Sequence, residues 1–173
     1  MHQLKMKISN DLKLKGRVHF EAKDVNTGKV LYTFDDHNII VNGALLATVK
    51  LLGNTASPSP ITKIAFGTSA TAPQYTDSNI QNPFVKNLDD VHIESNNTSV
   101  TFDFSLGTGE DNGVTIAEIG LMCTDGTLFA RRTFPSPIVK NVNVALEGTC
   151  EVKYANDGSL KPVNVKKHWP RFL

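Results

Sequence analysis

Apolar and polar residues alternate with a period of two along most of this chain. The clearest case is residues 114–134. Ala117, Ile119, Leu121 and Cys123 fall on one side, and beyond Thr124-Asp125-Gly126-Thr127 the residues Leu128, Ala130 and Phe134 share it. That period marks a half-buried strand, because successive side chains point to opposite faces. Asp-Gly between two apolar runs predicts a type I′ hairpin, in which both central residues take positive φ. The implied register sets Cys123 opposite Leu128, Leu121 opposite Ala130 and Ile119 opposite Arg132. The second face carries Glu118, Gly120, Met122, Phe129 and Arg131. It is too mixed for open solvent, so the pattern predicts a cover from another strand or another subunit.

The same alternation recurs on both sides of this hairpin. Val18, Phe20 and Ala22 alternate with His19, Glu21 and Lys23, and the turn Asp24–Gly28 leads to a strand over residues 30–34. Asp35-Asp36-His37-Asn38 reads as a polar break before a short apolar strand at residues 39–41. Further strands are predicted over residues 61–66, 84–95, 98–106 and 138–154, with Gly148 at a bulge. Pro135-Ser136-Pro137 interrupts the ladder, since proline has no N–H to donate. Residues 42–52 break the pattern. Leu45, Val49 and Leu52 lie at i, i+4 and i+7, which predicts an amphipathic helix with its stripe on the sheet. Asn42 is placed to cap its start and Gly53 to end it. Many short strands and one short α-helix near residues 43–52 predict a mainly β fold, an antiparallel β-sandwich or open barrel.

The period weakens at both ends. Residues 1–14 read as an arm or an edge strand, residues 15–156 as one β domain, and residues 157–173 as a basic, aromatic tail. Leu4, Met6 and Ile8 in the arm, and Trp169, Phe172 and Leu173 in the tail, have no place in that domain's core. They are expected to contact a neighbouring subunit.

Composition narrows the function classes. At 173 residues, with 40% hydrophobic and 20% charged residues, the chain suits a single folded domain with a core of its own. A net charge of +1 offers no surplus to recruit nucleic acid or an anionic membrane. No apolar run approaches the roughly 20 residues that a membrane-crossing helix needs. The N-terminal residues do not resemble a signal peptide, so synthesis in a reducing cytoplasm is expected. Cys123 and Cys150 sit in strand patterns and read as buried free thiols. The alternative, a disulfide between strands, is not decided by spacing.

A search for chemistry returns little. Residues 107–113 (GTGEDNG) are glycine-rich but lack a Lys-Ser/Thr ending and open onto a strand, unlike a phosphate-binding loop. No nucleophile elbow is present. The acid pairs Asp35-Asp36, Asp89-Asp90 and Glu110-Asp111 are adjacent residues in or near turns, where solvated carboxylates are ordinary. His19, His37, His92 and His168 lack metal-ligand spacing. No catalytic residue, cofactor or metal is therefore expected. The long polar loop over residues 67–83 is the best candidate for recognition. In it, Tyr75 with Asn79, Gln81 and Asn82 could stack on and hydrogen-bond a sugar.

Four pieces of sequence then carry a resemblance. They are Asp24–Val30 (D-x-x-T-G-x-V), His37–Asn42 (HNIIVN) ahead of the helix, residues 61–73 (ITKIAFGTSATAP), and residues 104–134, with LGTGE-x-NG, EIGL and LFAR. Together they resemble a class of small β-rich proteins of tailed bacteriophages, found among tail, baseplate, neck and fibre genes. The resemblance spans about residues 16–154 and leaves out the basic tail. It implies a non-enzymatic virion component that associates with copies of itself and with other virion proteins. A carbohydrate-binding module that recognises the host surface is the alternative. Either role implies a place in the virion after synthesis in the bacterial host.

Overall fold

The structure, a computed structural model, describes residues 7–9, 12–53, 59–95, 98–156 and 161–163. The protein is mainly β. The strands are β1 (Lys7–Ser9), β2 (Leu12–Asp24), β3 (Val30–Ile40), β4 (Ile61–Gly67), β5 (Phe84–Asn87), β6 (Asp90–Ile93), β7 (Ser99–Leu106), β8 (Thr115–Cys123), β9 (Leu128–Val139), β10 (Val144–Asn156) and β11 (Lys161–Val163). The helix α1 spans Asn42–Leu52. Nine strands form one curled antiparallel sheet, a half-barrel, in the order β5-β4-β8-β9-β3-β2-β10-β7-β6. The strands β1 and β11 pair separately.

The curl arises at β3. Its residues 30–38 pair with β2, while Ile39 and Ile40 pair with Arg131 and Ala130 of β9. One strand thus passes from one half of the sheet to the other. The two end strands are nearly continuous in the chain. Leu88 N–H donates to Thr62 O (3.0 Å) and Asp89 N–H to Asp103 O (2.9 Å), so one extended segment is tied to both halves. Residues 84–95, expected as a single strand, are therefore two short ones. The core fills the space between the halves. Phe20 of β2 lies 4.9 Å from Phe134 of β9 by ring centroids, and Phe66 of β4 lies 5.8 Å from Phe104 of β7. Val18, Phe20 and Ala22 are fully buried, as their alternation requires.

Several boundaries differ from expectation for identifiable reasons. Asp35-Asp36-His37-Asn38 does not interrupt β3. Its two aspartates find cross-strand partners, with Arg17 forking onto Asp35 (2.6 and 2.5 Å) and Arg132 donating to Asp36. Gly148 is not at a bulge. It lies in register between Phe20 and Phe104, and a Cβ there would meet Phe20 Cβ at 2.4 Å and Phe104 Cζ at 2.8 Å. The glycine leaves room for two aromatic neighbours. Ile138 and Val139 belong to β9, and β10 begins only after a turn in which Asn143 N–H donates to Asn141 Oδ1. Phe134–Pro137 have no partner on β8, consistent with the proline interruption.

The hairpin turn is also of another kind. Only Gly126 has positive φ (88°), Gly126 N–H donates to Cys123 O, and Cys123 N–H donates to Thr127 O. This is a three-residue loop rather than a type I′ turn. Leu121 faces Ala130 and Ile119 faces Arg132 as expected, but Leu128 faces Met122 because a register shift leaves Phe129 as an extra residue. That residue exchanges the two faces beyond it. Phe129 enters the main core, and Leu128 joins Val41, Ala65 and Ile80 in a small cluster behind it.

Candidate functional site

Two features stand out, a buried ionic clamp and an open apolar groove, and the loop over residues 68–83 touches both. The clamp lies on the second face of the β8–β9 hairpin. Glu118 is fully buried and Arg131 nearly so. Arg131 Nε donates to Glu118 Oε2 (2.7 Å), Nη1 to Asp77 Oδ2 (2.7 Å) and Nη2 to Thr71 O (3.1 Å). Glu118 Oε1 accepts from the backbone N–H of Ser69 (3.0 Å) and Gln81 (2.8 Å), at the two ends of the loop. Burial pushes the Asp77 carboxyl up, but the Gln74 N–H and Arg131 outweigh it and hold the group below its usual range.

Each buried charge here has an opposite partner and charge-assisted hydrogen bonds, the condition for keeping ions in a low-dielectric interior. The loop is thereby held onto the hairpin. Ile80 then sits over Gly120, where an added Cβ would meet its Cδ1 at 2.7 Å. The mixed hairpin face is covered by the chain's own loop, not by another strand or subunit. Glu118 and Arg131 gave a signal in the sequence, as charges in an otherwise apolar strand pair. Their partners come from 37–60 residues away and gave none.

The groove, about 760 Å³, runs between α1, the end of β3, the start of β2 and Tyr75. Leu14, Ile39, Ile40, Leu45, Val49 and Tyr154 are among its walls, with Lys13, Lys15 and His37 beside them. Its existence follows from a reversal of α1. The helix was expected to bury Leu45, Val49 and Leu52, yet these are 61%, 65% and 83% exposed. Ala44 and Ala47 are buried instead. Gly43 allows this close seating, for a Cβ there would meet Leu128 O at 2.2 Å. Small residues face the sheet and large ones face outward. Asn42 is the first helical residue rather than the cap. Val41 holds that position without a side-chain bond, and Asn42 N–H donates to Tyr75 O (2.8 Å). Gly53 keeps right-handed helical geometry (φ −76°) rather than the left-handed ending expected.

The predicted recognition residues divide. Tyr75, 67% exposed, lines the groove, whereas Asn79, Gln81 and Asn82 do not. Asn82 donates to Thr68 Oγ1 (3.1 Å), Gln81 O accepts from Thr68 N–H (3.0 Å), and Asn79 donates to Ser78 Oγ (3.2 Å). Of the predicted interface residues, Leu4, Met6, Trp169, Phe172 and Leu173 lie outside the described residues, and Ile8 is placed by its backbone alone, opposite Pro162.

The glycine-rich loop over residues 107–113 is filled from within. Glu110 accepts from Gly107 N–H (2.7 Å) and Lys86 (2.9 Å). Buried Lys140 donates to Asn112 Oδ1 (3.0 Å) and Asn141 O (3.2 Å), and its burial lowers its pKa against the pull of Asp111 and Glu110. The Glu110 carboxylate already takes up a backbone N–H of this loop and a neighbouring lysine. Among the described residues, no group of three or more His, Cys, Asp or Glu is arranged to hold a metal ion.

The protein thus combines a β half-barrel, a loop clamped by buried ion pairs and an open apolar groove. No protein family, curated protein or solved structure matches the chain.

Proposed function

We propose that this chain is a non-enzymatic structural subunit of a tailed-bacteriophage particle. In this reading it associates with copies of itself and connects tail, baseplate or neck parts to fibres or to neighbouring subunits. The observation that carries self-association is the outward face of α1. Leu45, Leu46, Val49 and Leu52 are all more than half exposed beside an apolar groove. A contiguous apolar face of this kind marks an interaction site. The clamp supports the same role, since its ionic groups are engaged in holding the loop. The phage assignment rests on the sequence resemblance. Light scattering of the purified chain over a concentration series tests association, and a strictly monomeric protein counts against it. Immunogold labelling of intact particles from the source phage tests the location, and unlabelled virions would refute it.

A second reading draws on Tyr75, an exposed aromatic at the groove, as a platform for a host-surface sugar. Binding on a glycan array that is lost in Tyr75→Ala would favour it.

A further inference from the structure

The strand that leaves the clamped hairpin leads to an amine held away from water. Lys140 follows β9 and is fully buried. Its Nζ donates to two neutral amide oxygens, Asn112 Oδ1 (3.0 Å) and Asn141 O (3.2 Å). Neither supplies the full negative charge that normally accompanies a buried cation. We propose that Lys140 and Asn112 join in an intramolecular amide, with Nζ bonded to Cγ and ammonia released. This inference goes beyond the assembly reading and does not depend on it.

The backbone holds the two segments side by side. Gly113 N–H donates to Lys140 O (2.9 Å), and Lys140 N–H donates to Val114 O (2.9 Å). The Asn112 amide is oriented as well, since its Nδ2 donates to Thr108 O (2.8 Å). A carbonyl only accepts and a lysine ammonium only donates, so this amide turns its nitrogen to the loop and its oxygen to Nζ. The amine is thereby kept beside the carboxamide carbon, and proximity replaces a bimolecular encounter. Asp111 (φ 49°) and Gly113 (φ 84°) turn the loop on either side of Asn112. Positive φ is uncommon at a residue other than glycine.

The proton has a carrier. Asp111 precedes Asn112, and its charge and that of Lys140 act on each other. Burial raises the Asp111 carboxyl and lowers the Lys140 ammonium. Both shifts favour passing a proton from Lys140 to Asp111, which leaves a neutral, nucleophilic amine. Glu110 is engaged by Gly107 N–H and Lys86 and takes no part. Asp111 takes one ammonium proton, and the amine attacks Cγ. The acid passes that proton to Nδ2 and takes a second from Nζ. The Cγ–Nδ2 bond breaks, and the departing ammonia recovers the proton from Asp111 as ammonium. No oxidant or cofactor enters. Asn112 is exposed, so the ammonium leaves directly into solvent. The product closes residues 112–140 into a covalent ring that contains β8 and β9, and with them Glu118 and Arg131 of the clamp.

Intact mass spectrometry of the full chain, folded, incubated and then denatured, tests this. The expected mass is about 17 Da below that of the sequence, the loss of one ammonia. Tandem spectra of a digest should show the peptide bearing Asn112 joined to the peptide bearing Lys140. Asn112→Ala, at an exposed position, and Lys140→Arg should both retain the full mass of their sequences. Asp111→Asn should slow the conversion by more than about tenfold. Attack by the Gly113 nitrogen on Asn112 would form a cyclic imide with the same mass loss but no joined peptide. That product, the full mass in the folded unsubstituted chain, or a mass loss that persists in Asn112→Ala would each overturn the proposal. A joined peptide that forms at an unchanged rate in Asp111→Asn would uphold the bond and overturn Asp111 as the proton carrier.

Discussion

Arg131 shows how much one residue can organise. It bridges Glu118 on the adjacent strand and Asp77 and Thr71 in the loop, while being almost wholly buried. Removing one member of such a set leaves an unpaired buried charge, which costs roughly 3–5 kcal/mol. Arg131→Met should lower the urea unfolding free energy by that order and speed hydrogen exchange at Ser69 and Gln81. A loss below about 1 kcal/mol would show that the loop holds without the clamp. The carboxyls make stability depend on acid. Asp77 and Glu110 are held below their usual range against the effect of burial, and Asp125 is held well below it by the Thr127 N–H and hydroxyl. Each binds its proton more weakly in the folded chain than in the unfolded one. The stability they contribute is complete above about pH 5 and is lost as pH falls through the folded values. Melting temperature measured from pH 7 down to pH 2 should be level at first and then drop. The thiols behave oppositely. Cys123 and Cys150 are free and buried, and burial, aided by Asp125, pushes Cys123 up to about 11. Neither should react with a thiol reagent at pH 8 until the protein unfolds.

At the scale of elements, α1 is the instructive case. Its apolar period was legible and its extent, Asn42–Leu52, was read closely. Which side faced the sheet was not, because periodicity identifies a stripe without saying what it meets. Here the helix approaches through Gly43, Ala44 and Ala47, and its larger residues remain outside. Val49→Glu should therefore change the unfolding free energy of the monomer by less than about 0.5 kcal/mol. Gly43→Ala should destabilise by roughly 1–3 kcal/mol, because Leu128 O must move. Denaturant titrations of the two variants would separate them, and the reverse order would place the stripe inside. The β8–β9 hairpin teaches a related lesson. Its strands and its Asp-Gly turn were visible, but one extra residue at Phe129 moved Leu128 off the core face and Phe129 onto it.

For the whole molecule, the mainly β architecture followed from alternation, which reports a local preference repeated along the chain. Closure of the curl, the loop on the hairpin and the groove did not, because each joins residues far apart in sequence. Glu118 meets Gln81 and Ser69, and β3 leaves one half of the sheet for the other at Ile39. If the groove serves assembly, the mass in solution should rise with protein concentration, and light scattering over a concentration series would show it. Period, turn residues and composition determined by themselves that this chain makes strands, one helix and a buried core, since each strand's pattern is written in its own residues. Tertiary structure alone decided which face of the helix is outside and which charges are buried together. Those outcomes depend on what a segment packs against, and no window of sequence contains its partner.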